Sequence, residues 1–324
     1  MRIFFAILAL TVAATGQNTP TRIPPDEAAK HLIKQAPTHY PYLAEAANIQ
    51  GVVLLEITID ESGKASVRRL VAGHPMLAPD AMSTVNLWKY QPFEVDGKPA
   101  AVLTFVAVSY GGKPKENEVA NHSATTFAHN FWTSEDTAQA ALAKGDYVAA
   151  EQQLNTARDA LATVPEVGLR YSEERWRFMI SMGRLAMGRQ KYEEAEPHYK
   201  QALELRQKGD KDAPELAATF ADLARLYTEE KRYDLARDHA NRSIDIYQKD
   251  FKKAGSSHPD TQAFYGRAIA YQSWMLSKLA LQQNDSLEAA KQCRMVLDFQ
   301  SYLAAADHDS VVSACEGAVK KSAP

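Results

Sequence analysis

The chain has 324 residues, which is enough for two or three domains. Its 45% hydrophobic and 24% charged residues are typical of an ordinary soluble protein. The 37 Lys and Arg residues nearly balance 40 Asp and Glu residues, and no basic stripe occurs along the sequence. The composition therefore argues against nucleic acid as a partner, because proteins that bind nucleic acid concentrate positive charge on one face.

The N-terminus has the pattern of a secretory signal peptide. Arg2 precedes an apolar run at residues 3–14, and Ala14-Thr15-Gly16 offers the small residues that a signal peptidase prefers. A run of about a dozen apolar residues is too short to cross a hydrocarbon core, which needs about 20 residues in a helix. We therefore predict a signal peptide at residues 1–16 and a periplasmic or secreted protein. The alternative is an uncleaved anchor that holds the chain at the inner membrane, facing the periplasm.

Residues 17–36 are predicted to form an N-terminal extension with one short helix. The run Pro24-Pro25-Asp26-Glu27 places proline in the first helical turn and acidic side chains near the positive end of the helix dipole. We expect Leu32 and Ile33 to pack on the domain that follows.

Residues 37–110 combine strand and helix patterns. Apolar side chains alternate along residues 52–59, which predicts a strand with one buried face, and Glu56 and Thr58 begin its wetter face. Ser62-Gly63 supplies the turn of a hairpin. Apolar residues then recur at helical spacing before a closing strand at residues 101–110. The apolar positions that carry these patterns are Val53, Leu55, Ile57 and Ile59, then Val67 and Val71, then Leu77, Ala81, Val85 and Trp88, and finally Val102, Val106 and Val108. The patterns predict a small α+β sandwich.

Several motifs occur in order across the same stretch. They are Tyr40-Pro41 at its start, Gly73-His74-Pro75 after the second strand, Trp88-Lys89-Tyr90-Gln91-Pro92 at the end of the helix, and Asp96-Gly97-Lys98-Pro99 before the last strand. This order and spacing resembles the C-terminal domain of TonB energy transducers. Those transducers are also alike in having a full N-terminal membrane helix and a long Pro-rich spacer, and this sequence has neither pattern.

The resemblance implies a binding mode for a protein partner. The closing strand would lie at a sheet edge and accept an extended peptide, such as a segment of an outer-membrane TonB-dependent receptor. Main-chain hydrogen bonds then supply affinity and side-chain pockets supply specificity. The partner-binding residues implied in this way are Tyr40, Pro41, Val102, Thr104, Val106 and Val108. The alternative is an edge that is used only for dimer contacts or is blocked by the segment that follows it.

Residues 111–133 are interpreted as a linker. Gly111-Gly112-Lys113-Pro114 breaks the strand pattern, and the segment to Thr133 is polar with little periodicity.

From Ser134 onward the pattern is helical and repetitive. Three similar segments, Gly145–Glu151, Gln190–Glu196 and Lys231–Arg237, are followed by a weaker copy at Asn284–Ala289. Each copy contains one alanine early in a second helix, and these alanines, spaced 45, 41 and 53 residues apart, are Ala150, Ala195, Ala236 and Ala289. Such spacing is typical of helical repeats with variable loops.

These segments resemble tetratricopeptide repeats, particularly the longer variety of kinesin light chains. We therefore predict an all-α repeat domain at residues 134–321 that ends in a capping helix. The resemblance implies a concave surface, lined by the first helices of the repeats, that binds peptides or other proteins.

Three cations occur in register in the first helices. Arg184, Arg225 and Lys278 each lie eleven residues before an alanine that marks a repeat. If these positions face the concave surface, the cations form charge-assisted hydrogen bonds with carboxylates of a peptide. The alternative is a solvated helix surface.

Cys293 and Cys315 are the only cysteines in the chain. Each is eleven residues from Ala304, so an antiparallel helix pair that turns there brings them level. Export would place them in an oxidising compartment, and we predict a disulfide between them. The alternative is two buried free thiols.

The sequence has no signature of catalysis. Its nine histidines are not accompanied by an HExxH motif, a paired-cysteine motif or a carboxylate-rich loop, and His198 and His239 share one repeat position that we expect to face solvent. It also has no Gly-rich phosphate loop and no GxSxG motif. We therefore predict no metal, no cofactor and no enzymatic activity.

Together these patterns predict an α+β protein with two parts. It is interpreted as an exported periplasmic adaptor in which a TonB-like domain captures an extended segment and repeats recruit a second protein. One alternative is a membrane-anchored energy transducer for transport, for which membrane association requires the uncleaved N-terminus. A second alternative, an envelope hydrolase, lacks a catalytic cluster.

Overall fold

The computed structural model describes residues 20–163, 172–207 and 214–322. The predicted signal peptide at residues 1–16 lies outside this part of the chain. No helix within the described ranges combines the length and the apolar character that a membrane span needs. The chain divides into two compact units, Met1–Ser181 and Met182–Pro324. The first unit contains a sheet and helices and the second contains helices, which confirms the predicted fold class.

The first unit begins with eight strands and three short helices. The strands are β1 (Thr21–Arg22), β2 (Leu32–Lys34), β3 (Gly51–Ile59), β4 (Ala65–Ala72), β5 (Lys89–Tyr90), β6 (Phe93–Val95), β7 (Lys98–Ala100) and β8 (Val102–Tyr110). The helices are α1 (Pro25–Lys30), α2 (Tyr42–Ala46) and α3 (Ala78–Val85). The main sheet has the strand order β1-β8-β3-β4, while β2 pairs with β5 and β6 pairs with β7. Strand β3 pairs antiparallel with both β4 and β8.

The two faces of this sheet differ from the expectation. The predicted apolar face of β3 packs in one core cluster with α3, and its Val53, Leu55, Ile57 and Ile59 side chains are fully buried. The opposite face was predicted to be wetter, but Leu54 is 0% exposed and Glu56 only 1%. That prediction was wrong because a later helix covers the second face.

The covering helix is α4, Pro114–Lys144, and it replaces most of the predicted linker. Proline in its first turn and Gly145 in a left-handed conformation at its end are ordinary helix boundary signals. It packs on β3 and β8 and also on the next helix. The buried stripe consists of Ala124, Phe127, Ala128, Phe131, Trp132, Glu135, Ala138, Ala141 and Leu142. The residues of this stripe recur at helical spacing. The sequence hides that spacing, because three of every four residues at positions 115–126 are polar.

The remaining helices follow in pairs. They are α5 (Tyr147–Ala162), α6 (Ser172–Gly188), α7 (Tyr192–Gln207), α8 (Pro214–Glu229), α9 (Tyr233–Ala254), α10 (Pro259–Gln282), α11 (Ser286–Asp298) and α12 (Ala305–Lys321). Short 3-10 helices occur at Gly255–Ser257 and Gln300–Tyr302. Within the second unit each helix from α7 to α11 packs on its successor.

The four repeat copies have the same backbone geometry. The marker alanines at positions 150, 195, 236 and 289 are each 0% exposed. Five residues before each alanine, the chain adopts a left-handed conformation, with φ of 73° at Gly145, 61° at Gln190, 61° at Lys231 and 60° at Asn284. This conformation turns the chain from one helix into the next, so all four copies share one turn.

Equivalent positions in the two helices of each repeat are buried. The residue twelve positions before each alanine is small and buried, and the residue four positions after it is also buried. These pairs are Ala138 with Leu154, Gly183 with Tyr199, Ala224 with Ala240, and Ser277 with Cys293. A Cβ atom added to Gly183 would lie 2.4 Å from the Tyr199 ring, so glycine is required there by the large partner.

The shared turn gives a stability prediction. A left-handed residue other than glycine costs about 1–2 kcal/mol, and glycine avoids that cost at the expense of chain entropy. We expect Gln190→Gly to raise the free energy of unfolding by about 0.5–1 kcal/mol, measured from urea denaturation of the full chain. The matched control is Gln201→Gly, which is exposed inside α7 and should lower the same quantity by about 1 kcal/mol. Destabilisation by both changes would contradict the argument.

Candidate partner-binding surfaces

The outer edge of β8 is partly occupied by the chain's own N-terminal extension. Strand β1 runs parallel to β8, with Thr21 opposite Val102 and Arg22 opposite Leu103. The Ile23 amide donates to the Leu103 carbonyl at 2.8 Å, and the Thr104 hydroxyl donates to the Ile23 carbonyl at 3.2 Å. The sequence did not predict this contact, because a two-residue strand has no periodicity.

The predicted side-chain contacts on β8 are buried within the domain. Val102, Thr104, Val106 and Val108 are 1%, 0%, 8% and 4% exposed, respectively. Their side chains therefore pack inside the domain, and their role in partner binding stays a prediction. What β8 retains for recognition is its main chain.

Alternation along β8 identifies which amides face outward. The Leu103 carbonyl accepts from β1, so the main-chain groups of Leu103 point away from β3. Amide and carbonyl groups alternate in direction along a strand, so Phe105, Ala107 and Ser109 point the same way, while Val106 points toward β3. In the described part of the chain, β1 and β3 are the two strands that pair with β8, and β1 reaches only as far as Leu103.

Tyr40 lies at the opposite end of this edge. Its ring contacts the Tyr110 ring edge to face with centroids 5.7 Å apart, and its hydroxyl donates to the Ile49 carbonyl at 2.8 Å. Tyr110 in turn donates to Asp80 at 2.6 Å, and burial together with this carboxylate raises the pKa of Tyr110. Pro41 precedes the first residue of α2. Tyr40 therefore fixes the end of β8, and β1 covers its start.

A buried ionic cluster joins β1 to the sheet and to α4. Glu56 on β3 is 1% exposed and accepts from Arg22 at 2.5 Å and from Arg69 at 2.6 Å. Arg22 also donates to Asp136 on α4 at 2.8 Å. Burial raises the pKa of Glu56, but hydrogen bonds and charge from Arg69 and Arg22 outweigh burial and lower it overall. The lowered pKa favours the ionised form of Glu56, whose Oε2 atom also lies 3.7 Å from the more exposed Arg68.

Trp132 extends this cluster along α4. The Arg69 guanidinium lies 3.6 Å from the centre of a Trp132 ring, and that of Arg177 lies 4.9 Å away. Nearby, Glu135 and Glu174 are both 0% exposed. Burial raises the pKa of each of these two carboxyl groups. Glu135 accepts from Ser181 and Gln139.

The cations of the repeats have partners within the second unit. Arg184 donates to Asp222 through two nitrogens, at 3.0 and 2.9 Å. The Lys278 ammonium lies 5.3 Å from the centre of the Trp274 ring, and burial lowers the pKa of Lys278. Arg225 is half-buried. A peptide carboxylate would therefore compete with existing contacts at Arg184, and recognition by this set stays a prediction.

The paired histidines do not face solvent as expected. His239 packs edge to face against Phe220 and Tyr227, with centroids 5.8 and 5.2 Å apart. Burial lowers the pKa of His239 and also that of His198. The shared repeat position is therefore a packing position between the helices.

The two cysteines lie side by side between α11 and α12. Both are 0% exposed and share one apolar cluster with Val296 and Val311. The two thiol groups lie within hydrogen-bond reach of each other, and this contact lowers the pKa of Cys293 and raises that of Cys315. The helix pair therefore brings the sulfur atoms together, and the covalent bond between them stays a prediction.

The buried Glu174 carboxyl predicts a pH dependence of stability. Its pKa is raised above the ordinary value of 4.5, so the folded chain binds this proton more tightly than the unfolded chain. The stabilisation is complete below pH 4.5 and is lost as the pH rises toward the folded pKa. We expect Glu174→Gln to lose less stability than wild type between pH 4.5 and neutral pH, measured by urea denaturation. The exposed Glu118→Gln is the control, and parallel profiles for wild type and Glu174→Gln would contradict the prediction.

The cysteine pair gives a second prediction. A disulfide would close a loop of about 22 residues and, in the chain-entropy model, stabilise the C-terminal helices by about 3 kcal/mol. We expect protein purified from the periplasm to show no alkylation after denaturation without reductant, and two alkylated thiols after reduction. Mass spectrometry measures both states. Two thiols labelled without reductant would rule the disulfide out.

Comparisons with known proteins match both parts of the chain. The family described as Gram-negative bacterial TonB protein C-terminal matches residues 36–111, and the tetratricopeptide repeat family matches residues 177–249. Protein TonB of Vibrio cholerae is 28% identical over 78 residues, which are 24% of this chain and 32% of that protein. The match thus spans about a third of the length of this relative.

Solved structures are also similar to part of the chain. BtubC (BKLC) from P. vanneervenii aligns with a TM-score of 0.43 and 14% identity, covering 60% of this chain and 85% of that one. A putative kinesin light chain from Podosopora anserina with nearly identical tetratricopeptide-like repeats aligns with a TM-score of 0.44 and 15% identity, covering 59% and 88%. Both resemblances predicted from the sequence are confirmed by the family matches: the chain contains a TonB C-terminal domain at residues 36–111 and tetratricopeptide repeats that include residues 177–249.

Proposed function

We propose that the protein is an exported adaptor of the cell envelope, linked to TonB-type transport. Its TonB C-terminal domain captures an extended segment of an outer-membrane partner by adding a strand to β8. Its tetratricopeptide repeats recruit a second protein. The function is binding, and no step of it requires a cofactor.

One observation carries the first part of this proposal. Beyond Leu103, the outward main-chain groups of β8 pair with no strand in the described residues. The side chains of the same segment are mostly buried. Strand addition uses such a row of groups, because main-chain hydrogen bonds supply the affinity. Burial of the side chains on both faces keeps the strand rigid, so little conformational entropy is lost when a partner pairs with it.

The opposite edge of the sheet is less suited to strand addition. On β4, the Ala65 amide donates to the Trp88 carbonyl and the Val67 amide donates to the Asn86 side chain. The pairing of β4 with β3 also contains two irregularities of register. Bulges and occupied amides are features that protect an edge from pairing. This contrast favours β8 as the site of partner capture.

The repeats support recruitment of a second protein. Within the second unit, helix pairs with the same turn, at Gln190, Lys231 and Asn284, form the kind of array that offers an extended binding surface. Arg184, Arg225 and Lys278 are the proposed contacts with partner carboxylates on that surface. Binding there requires a carboxylate to replace Asp222 beside Arg184.

The strand-addition site can be tested with a proline substitution. Ala107 is half-exposed, and proline there removes an outward amide while leaving the ladder to β3 intact. We expect Ala107→Pro to reduce capture of envelope proteins at least about tenfold, measured by quantitative pull-down from envelope extracts with the full chain. Ala107→Val retains the amide and is the matched control, which should bind as wild type does.

Two further results decide between the alternatives. Equal capture by wild type and by a folded Ala107→Pro variant would overturn β8 as the site. Mass spectrometry of the N-terminus tests export, because a chain that begins near Gln17 has lost the apolar run. A chain that keeps Met1 in the envelope would instead favour the membrane-anchored transducer.

A further inference from the structure

The segment Thr21–Ile23 occupies the edge that the proposed function assigns to a partner, and the inference drawn here rests on that function. The segment is short, since β1 has two residues and pairs with β8 at Val102 and Leu103. It ends at Pro24-Pro25, which have no amide hydrogens and cannot extend a ladder. The chain's own strand therefore pairs with the start of the edge. The helix α1 that follows it also packs on β8, and beyond Leu103 the edge pairs with no strand in the described residues.

Arg22 is the main anchor of this segment. Its side chain is only 11% exposed and donates to Glu56 at 2.5 Å and to Asp136 at 2.8 Å. The guanidinium also lies 4.9 Å from the centre of the Phe105 ring. The planar guanidinium of Arg22 therefore bridges two carboxylates on different elements. The single ammonium group of a lysine does this less well.

Glu56 makes this position selective for a strand that carries a cation. Its Oε2 atom accepts from Arg69, and its Oε1 atom accepts from Arg22. Because Glu56 is 1% exposed, water does not replace a lost partner easily, and an unpaired oxygen in this position carries a desolvation penalty. A strand that displaces β1 must therefore bring its own cation to Oε1.

We propose that Thr21–Ile23 is an intramolecular competitor for the β8 edge, and that the partner is an extended segment, parallel to β8, with an arginine in register with Leu103. The arginine of the incoming strand takes the place of Arg22 between Glu56 and Asp136. Strand exchange then conserves the buried ion pairs, and the newly paired groups from Phe105 to Ser109 supply the gain in affinity.

The test uses a fluorescein-labelled synthetic peptide with the sequence of residues 18–26 of this chain, and two analogues with lysine or alanine at the position of Arg22. The hosts are the full wild-type chain and the full Arg22→Ala chain, compared by fluorescence anisotropy. We expect the Arg22→Ala chain to bind the arginine peptide at least tenfold more tightly than wild type does, because its edge is no longer filled. The arginine peptide should also bind this host at least tenfold more tightly than the alanine peptide, with the lysine peptide between them.

Circular dichroism and cooperative urea unfolding check that the host is folded. If Arg22→Ala does not fold, Arg22→Lys serves as the host, because it keeps the charge but not the two-pronged contact. Equal binding by mutant and wild-type hosts would show that β1 does not compete for the edge. Equal binding of arginine and alanine peptides, or no binding to a folded host, would overturn the selection by Glu56.

These outcomes are separable from failure of the proposed function. If Ala107→Pro abolishes capture from envelope extracts while the peptides do not discriminate between hosts, the adaptor function stands and the competitor is overturned. If the arginine peptide binds selectively while Ala107→Pro captures proteins as wild type does, the exchange site stands and its role in capture is overturned.

Discussion

The buried carboxylate of Glu56 is the constraint on which the first unit depends. An acid in the middle of a covered sheet face is tolerated only with partners in place, since loss of one partner from a buried ion pair costs about 3–5 kcal/mol. Here the partners come from β4 through Arg69 and from the N-terminal extension through Arg22, and Asp136 on α4 shares Arg22. The extension, the sheet and α4 are therefore one cooperative structure, and the chain after β8 is part of that structure instead of a tether.

The repeats obey a more local rule. Each copy uses a left-handed residue to turn and a fully buried alanine to bring two helices close. At the pair Gly183 and Tyr199, the missing side chain of the glycine leaves room for the tyrosine ring, so the two helices keep their spacing. Because the rule involves residues within one repeat, it tolerates loops of different length between copies.

The two kinds of constraint suit the two proposed roles. A domain that accepts a strand needs a stiff, prepared edge, and the burial of both sheet faces provides it. The same burial removes water from the Glu56 carboxylate, which therefore needs a cationic partner. Arg22 on β1 supplies that partner from within the chain. In the proposed exchange, access to the edge and stability of the sheet are thus linked through Arg22.

The sequence by itself determined the elements whose signal is periodic. Alternation along β3 and β8 and helical spacing in α3 located the sheet and its first layer, and the marker alanines located four helix pairs, because these patterns lie within short stretches of chain. Only the tertiary structure decided the second layer and the site. Helix α4 hides a regular apolar stripe among polar residues, and β1 is too short to have a period. The contact between Arg22 and Glu56 joins residues that are 34 positions apart in sequence. Whether it forms depends on which strands pair. Burial of the whole sheet determines that pairing, and neither segment determines it alone.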